Sequence, residues 1–259
     1  MFKVCTLSSS SKGNCTFITS GNTNILVDCG VRAEKIEEFF VSENEEPKID
    51  AVVITHEHVD HIFGLKSLLS KQNVKIYVAD GVQYLINERL GTEFDIDVIN
   101  ENGFTVGDIF VVPFRTMHDA FRPYGYTFVN DGKRISVATD MGYVTSDVKD
   151  NLVMSDVIVL EANHDVRMLK QGNYPYKLKI RISGESGHLS NDDAGRLVSE
   201  LAEGKLKKVL LAHLSENNNL PELAYSTVEK YIVKNKKLQG KNLEIAVAPS
   251  NKRSRFLEV

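Results

Sequence analysis

The stretch Thr55-His56-Glu57-His58-Val59-Asp60-His61 gathers more potential metal ligands than chance would supply. Three of the seven histidines in the chain, together with one aspartate, fall within the six positions from His56 to His61. Imidazole nitrogens and a carboxylate oxygen suit zinc, and manganese and iron are close competitors. We therefore interpret this stretch as a metal-binding loop and not as a polar surface loop.

The residues on either side place this loop at the carboxyl end of a strand. Ala51-Val52-Val53-Ile54 is a run of small and β-branched residues, which is typical of a strand covered on both faces. Beyond the loop, apolar residues recur at helical spacing from Ile62 to Leu69, so we expect a helix there. Proteins with α/β architecture commonly place their sites in such loops.

The pattern His-x-His-x-Asp-His resembles the signature of the metallo-β-lactamase superfamily. The resemblance implies that His56, His58 and a later histidine bind one metal ion. It implies that Asp60, His61 and another later histidine bind a second ion, and that a later aspartate bridges the two. The candidates for these three later positions are His118, His213 and Asp140, with His188 as an alternative to His213.

Two of these later candidates also follow predicted strands. His118 comes shortly after the apolar run 111–114, and Asp140 leaves a hairpin that the turn signal Asn130-Asp131-Gly132 indicates. A single histidine or aspartate at a strand end is more often structural. Given the first cluster, we interpret both as ligands, because an open metal site needs ligands from elsewhere in the chain. Asp28, which ends another predicted strand, could orient a ligand histidine or only form a turn.

Length and composition favour one soluble globular domain. The chain has 259 residues, 42% of them hydrophobic and 25% charged, and no linker of low complexity divides it. We therefore expect a single domain over residues 1–259. The formal net charge of −4 does not indicate a nucleic-acid-binding protein, but a local basic patch would suffice for such binding.

Cysteine usage and hydropathy indicate the compartment. The chain has three cysteines, Cys5, Cys15 and Cys29, and no CxxC pair, which is typical of free thiols in a reducing environment. No apolar run approaches the roughly 20 residues that span a bilayer. The N-terminus also lacks the basic and apolar regions of a signal peptide. We expect a cytoplasmic protein that has no membrane partner.

One stretch is a candidate for binding phosphates. Residues 167–181 contain five cations and two tyrosines. This composition suits a surface that contacts phosphates, and it suits an ordinary solvated face equally well. The loop from Ser8 to Asn14 is rich in hydroxyl and amide donors. The candidate substrate-binding residues are Ser10, Lys12, Asn14, His164, Lys177, Lys179, Arg181 and His188.

Across nearly its whole length, the chain resembles the YycJ (WalJ) branch of the superfamily. The segments that carry this resemblance include Ser8–Asn14, Thr55–His61, Glu161–Asp165, Gly187–Asn191 and Ala212–Ser215. The resemblance implies a four-layer αββα sandwich of the α+β class, whereas periodicity alone indicates only a mixed α/β or α+β domain. It also implies 5′-to-3′ exonuclease activity on DNA, with RNA as a further possible substrate.

The residues themselves agree with phosphodiester hydrolysis. Two divalent metal ions, for which zinc, manganese and iron are the candidates, would activate a hydroxide nucleophile and stabilise the transition state. Asp60 or Asp140 would accept a proton, and His188 would contact the scissile phosphate or protonate the leaving oxygen, unless it only anchors its loop. The same ligands would also serve a hydrolase of a small ester, thioester, lactone or cyclic phosphate. A purely structural zinc site is disfavoured, because cysteine is absent from every cluster.

Overall fold

Two seven-stranded sheets make up the β-structure of the computed structural model, which describes residues 1–259. The strands are β1 (Lys3–Ser10), β2 (Gly13–Thr19), β3 (Asn24–Val27), β4 (Ala51–Val53), β5 (Lys75–Val78), β6 (Ile96–Val98), β7 (Phe104–Val106), β8 (Ile109–Arg115), β9 (Tyr124–Asn130), β10 (Lys133–Ala138), β11 (Val157–Glu161), β12 (Lys208–Ala212), β13 (Glu244–Val247) and β14 (Leu257–Glu258). The first sheet has the order β14-β1-β2-β3-β4-β5-β6, and the second has the order β13-β12-β11-β10-β9-β8-β7.

Nine α-helices and one short 3₁₀ helix connect these strands. They are α1 (Ala33–Ser42), α2 (Val59–Ile62), α3 (Leu65–Leu69), α4 (Val82–Leu90), α5 (Ser146–Leu152), α6 (Val166–Gln171), α7 (Tyr176–Ser183), α8 (Asn191–Leu201), α9 (Pro221–Lys234) and the 3₁₀ helix Lys236–Leu238. None of the helices is long and apolar enough to cross a membrane.

The two sheets share one hydrophobic core. Its buried residues come from both sheets, for example Val52 of β4 and Phe128 of β9, and Tyr126 donates a hydrogen bond of 2.7 Å to the Ile54 carbonyl. A second cluster packs α5, α8 and α9 against the outer face of the second sheet. The expected αββα sandwich is therefore confirmed. The three cysteines are buried free thiols, as expected.

Strand direction explains how distant residues meet. Strands β3 to β6 pair in parallel in the first sheet, and β10 to β13 pair in parallel in the second. Parallel neighbours end at the same edge, so the residues that follow them become spatial neighbours. Ala138, Leu160 and Leu211 lie side by side at that edge.

Several sequence-based expectations about local structure were wrong. The expected loop Ser8–Asn14 is mostly strand, because β1 and β2 continue to a tight turn at Ser11-Lys12. The single helix expected after the metal loop is divided into α2 and α3, and α2 already begins at Val59. The elements β6, α5 and β14 fall in segments where we expected none. The basic stretch 167–181, for which a solvated face was one open interpretation, spans most of α6 and α7 and the residues between them.

Candidate metal centre

The metal-binding loop begins where β4 ends and continues into α2. His56 and His61 are buried, and His58 is the residue that precedes α2. The loop packs tightly on the segment after β3. A Cβ atom on Gly30 would come within 1.7 Å of the Asp60 carbonyl oxygen, so a larger residue there would displace the loop.

The structure brings together the first set of candidate ligands. Ring nitrogens of His56, His58 and His118 lie within 4.8 Å of one another. His56 and His118 each bond a neighbour through Nδ1, the first to Thr55 Oγ1 (2.9 Å) and the second to the Gly187 carbonyl (3.0 Å). Such contacts fix the ring so that Nε2 is the nitrogen available to a metal ion.

The second set lies directly beside the first. Ligand atoms of Asp60, His61 and His213 also lie within 4.8 Å of one another. Asp140 stands between the sets, with Oδ2 3.5 Å from His61 Nε2 and Oδ1 3.8 Å from His118 Nε2. This is the arrangement that the superfamily resemblance implies for two neighbouring ions with a shared carboxylate.

Two buried atoms of this cluster lack any hydrogen-bond partner. They are Asp140 Oδ2 and His213 Nε2. A buried polar atom without a partner costs about 1–3 kcal/mol, so native proteins rarely keep one without a reason. Bound divalent cations would satisfy both atoms, and the histidine and carboxylate donors suit such cations. The residues present therefore fit a metal centre.

The backbone is strained at three of these positions. Asp28, Asp140 and His213 have φ angles of 63°, 57° and 55°, in the left-handed region that residues other than glycine rarely adopt. Each such residue costs on the order of 1–3 kcal/mol, and such strain concentrates at functional sites. It directs Asp140 and His213 into the ligand cluster and Asp28 onto the Nδ1 side of His61.

Asp28 orients His61 from the position directly after β3. Its Oδ2 accepts a hydrogen bond of 2.7 Å from His61 Nδ1, and its Oδ1 accepts from the Thr55 backbone N–H at 2.8 Å. His61 therefore presents Nε2 to Asp60 and Asp140. Of the two roles that the sequence left open for Asp28, these contacts support the orienting one.

Glu161 is a residue of the site that the sequence analysis did not identify. It is fully buried at the end of β11, and its Oε1 accepts from His188 Nδ1 (2.7 Å) and His213 Nδ1 (2.9 Å). Its Oε2 accepts from the backbone N–H groups of Met141 and Leu189. The available signal was its position after the buried run 157–160, at the same sheet edge as Asp140.

The electrostatic environments of the two sets differ. Burial lowers the pKa of His56 and His58, and neighbouring histidines lower both pKa values further. Burial also acts to lower the pKa of His61 and His213, but the surrounding carboxylates outweigh it. They raise the pKa of His61 well above its usual value and that of His213 to about 9.

We expect this difference to appear in the pH dependence of metal binding. A raised pKa means that, below pH about 9, metal-free His213 holds a proton that a cation must displace. Affinity for the ion on Asp60, His61 and His213 should therefore rise at least about tenfold per pH unit between pH 6.5 and 8.5, and more steeply where His61, whose pKa is also raised, releases a second proton. Affinity at His56, His58 and His118 should change far less.

Competition with a chromophoric chelator at several pH values measures both affinities. Titration calorimetry in buffers of different ionisation enthalpy counts the protons released. Equal pH dependence at the two sites would contradict the expectation.

The candidate substrate-binding residues are only partly brought to this centre. A cavity of about 220 Å³ lies over it, and Arg181 and His188 line this cavity together with Ser11. Asn14 donates a hydrogen bond of 3.1 Å to Asp60 and so supports a candidate ligand. Ser10 is buried, and Lys12 forms an ion pair with Glu216.

The other three lie farther out. His164 and Lys179 line a neighbouring cavity that shares His188 with the first, and Lys177 lines neither cavity and is exposed. Arg181 itself forms an ion pair with Asp119, which directly follows His118. Of the basic stretch, therefore, Arg181 is the cation beside the metal centre.

The fold and this histidine–carboxylate centre define a protein of the metallo-β-lactamase type. Residues 23–214 match the family described as "Beta-lactamase superfamily domain". The structure resembles the metallo-β-lactamase fold protein YhfI from Bacillus subtilis, with a TM-score of 0.71 and 18% identity over 98% of each chain. It equally resembles Zn²⁺-bound PqqB from Methylobacterium extorquens, with a TM-score of 0.71 and 16% identity over 99% of this chain and 100% of PqqB.

Sequence similarity narrows the assignment. The chain is 36% identical to the exodeoxyribonuclease WalJ of Streptococcus pneumoniae, over 88% of this chain and 87% of that protein. It is 33% identical to the exodeoxyribonuclease YycJ of Bacillus anthracis, over 87% of each. The chain thus belongs to the β-lactamase superfamily and, within it, to the family of the WalJ and YycJ proteins.

Proposed function

We propose that the chain is a metal-dependent phosphodiesterase, specifically a 5′-to-3′ exonuclease that acts on nucleic acid, with DNA favoured over RNA as the substrate. The observation that supports this proposal is the pair of neighbouring histidine and carboxylate sets, with Asp140 close to both, at the wall of one cavity. The names of the WalJ and YycJ relatives support the reaction class and the nucleic acid. The polarity rests on the family resemblance.

The proposed centre holds two divalent ions per chain, zinc or manganese, with iron as a further possibility. His56, His58 and His118 would hold one ion, and Asp140 would contact both. Asp60, His61 and His213 would hold the other. When bound, such a pair lowers the pKa of water and offsets the charge that develops on a phosphate.

The proposed acid–base groups belong to this cluster. Asp60 and Asp140 have lowered pKa values, because neighbouring imidazoles outweigh the effect of burial, so both are carboxylates that can accept a proton at neutral pH. His188 lies in the cavity wall between the rings of His118 and His213. With its Nδ1 on Glu161, its Nε2 remains available for a phosphate or leaving oxygen.

We also propose that residues 1–259 act as one domain and that the protein works in the cytoplasm. The shared core of the two sheets supports the first point. The three buried free thiols support the second, since they require no oxidising compartment.

The direct test uses purified protein loaded with manganese or zinc. Single- and double-stranded DNA and RNA, each labelled at one end and with or without a 5′-phosphate, would serve as substrates. We expect stepwise release of mononucleotides from the 5′ end of DNA. Cleavage of small esters without cleavage of any nucleic acid would contradict the proposal.

A hydrolase of a small ester, thioester, lactone or cyclic phosphate is the second candidate. The observation that favours it is the modest cavity of about 220 Å³ over the centre, which Lys177 and Lys179 do not line. A longer substrate must therefore extend beyond this cavity to contact them.

Replacing Lys177, Lys179 and Arg181 together by alanine separates the two candidates. For a nuclease, binding of nucleic acid should weaken, and the log–log salt slope should fall by roughly 0.7–0.9 per lost phosphate contact. Hydrolysis of bis-p-nitrophenyl phosphate should fall far less, and only through the loss of Arg181, which lines the cavity over the metal centre. A matched control removes three exposed lysines that line neither of the two cavities, Lys230, Lys234 and Lys236. Equal losses on both substrates would point instead to misfolding or to a role of these residues unrelated to nucleic-acid binding.

A further inference from the structure

A second, larger cavity adjoins the metal centre. It has a volume of about 510 Å³, within the range of roughly 300–1,000 Å³ typical of small-molecule sites. Helices α6 and α7 form its walls, and the start of α8 closes one side. His188 lines both cavities, so a ligand in the second would lie next to a phosphate at the metal centre.

The walls of this cavity are chemically mixed. Val166, Leu169 and Ile180 supply apolar surface, and Tyr176 stands at the rim with 78% of its surface exposed. An exposed tyrosine beside apolar side chains is a surface on which a flat aromatic ligand can stack. A bare phosphate would gain little from such walls.

The charged groups at the cavity favour a ligand that joins an aromatic ring to an anionic backbone. Lys170 and Lys179 line it, and the Lys179 ammonium lies 2.8 Å from the Lys170 carbonyl, which it binds. The carboxylate in the wall, Asp193, is already engaged by Arg196 and by Ser190 Oγ. The balance of free charge is therefore positive.

A buried histidine adds unused hydrogen-bonding capacity. His164 lies in the wall, and its Nδ1 has no hydrogen-bond partner. Burial lowers its pKa, so the ring is neutral at pH 7 and carries one donor and one acceptor. Donor and acceptor atoms of this kind can orient a heteroaromatic ligand that packs against the apolar part of a cavity.

We infer that this second cavity receives the base of a nucleotide that adjoins the scissile phosphate, on the α6–α7 side of His188. The inference rests on the proposed function, because it takes the ligand to be part of a nucleic-acid strand. Stacking on Tyr176 and Ile180 holds the base. Lys170 and Lys179 contact the adjoining backbone.

The test combines removal of the base with removal of the side chain. Oligonucleotides carry a stable abasic residue at the first or the second position, beside an intact oligonucleotide of the same sequence. For the wild-type protein, kcat/KM should drop roughly 5- to 100-fold at one of these positions, the range expected for one base–aromatic stack. For the Tyr176→Ala variant, kcat/KM should be nearly the same for the intact and the abasic substrates.

Two further variants secure the interpretation. Ser183→Trp fills the cavity from α7 and should reduce cleavage of the intact substrate more than that of the abasic one. Tyr84→Ala is the matched control, because Tyr84 is an equally exposed tyrosine (71%) on α4 that lines neither cavity. The Tyr84→Ala variant should show the same ratio of kcat/KM between intact and abasic oligonucleotides as the wild type. Metal content and melting temperature confirm that each variant is folded and loaded.

The outcomes separate the two claims. If wild-type protein cleaves intact and abasic oligonucleotides equally, or if Tyr176→Ala and Ser183→Trp keep the wild-type ratio, the inference is wrong and the proposed function stands. If wild-type protein cleaves no nucleic acid, the proposed function fails and the inference fails with it.

Discussion

Asp140→Asn should reduce bound metal from two ions per chain to at most one and lower kcat about 10³-fold or more. Asparagine keeps the shape of the side chain but removes the negative charge between His61, His118 and His213. A neutral amide holds a divalent cation weakly, and the several kcal/mol of transition-state stabilisation that a metal pair provides would be lost. Elemental analysis of metal per chain and steady-state kinetics measure the two effects.

The matched control for this substitution is Asp131→Asn. Asp131 is an exposed residue in the β9–β10 turn, and its φ of 46° is close to the 57° of Asp140. Asparagine tolerates this conformation, so neither variant adds backbone strain. The control should keep metal and activity. Two tightly bound ions and near wild-type turnover in Asp140→Asn would show that Asp140 does not bridge a metal pair.

His188→Ala should lower kcat by roughly 10²- to 10⁴-fold, the usual range for a positioned acid–base or electrostatic group. Metal content and thermal stability should stay near wild type. Glu161 would lose one partner but keep His213 and two backbone N–H groups, so no buried charge would be left alone. Single-turnover kinetics, elemental analysis and thermal unfolding provide the three measurements.

His213→Ala is the contrasting variant. It should empty one metal position and reduce stability, because a bound metal stabilises the folded state. If His188→Ala instead loses an ion while His213→Ala keeps both, the roles of the two histidines are reversed. Turnover of His188→Ala within a few-fold of wild type would mean that His188 only anchors its loop.

The sequence by itself was sufficient for the local elements that surround the site. The apolar run 51–54 and the ligand cluster after it are contiguous, so strand β4 and the metal loop could be predicted without any distant residue. The hairpin β9–β10 followed from its Asn130-Asp131-Gly132 turn. These features depend on interactions within a few residues.

Elements whose neighbouring residues show no clear pattern could not be predicted from the sequence. Strand β6 has three residues that are partly or fully exposed, so it shows no apolar run. The segment Ser8–Asn14 has the composition of a loop, yet pairing between β1 and β2 extends through most of it. Its backbone hydrogen bonds are made across the hairpin, and composition does not report them.

What only the tertiary structure decided is which distant groups meet. Glu161 is an acidic residue at a strand end in the sequence, and it becomes the shared acceptor of His188 and His213 only because β11 and β12 run parallel and end together. Likewise, the basic stretch 167–181 looks uniform in the sequence. Its fold into α6 and α7 sends Arg181 to the metal centre, Lys179 to the second cavity and Lys177 to solvent, because successive helical residues point in different directions.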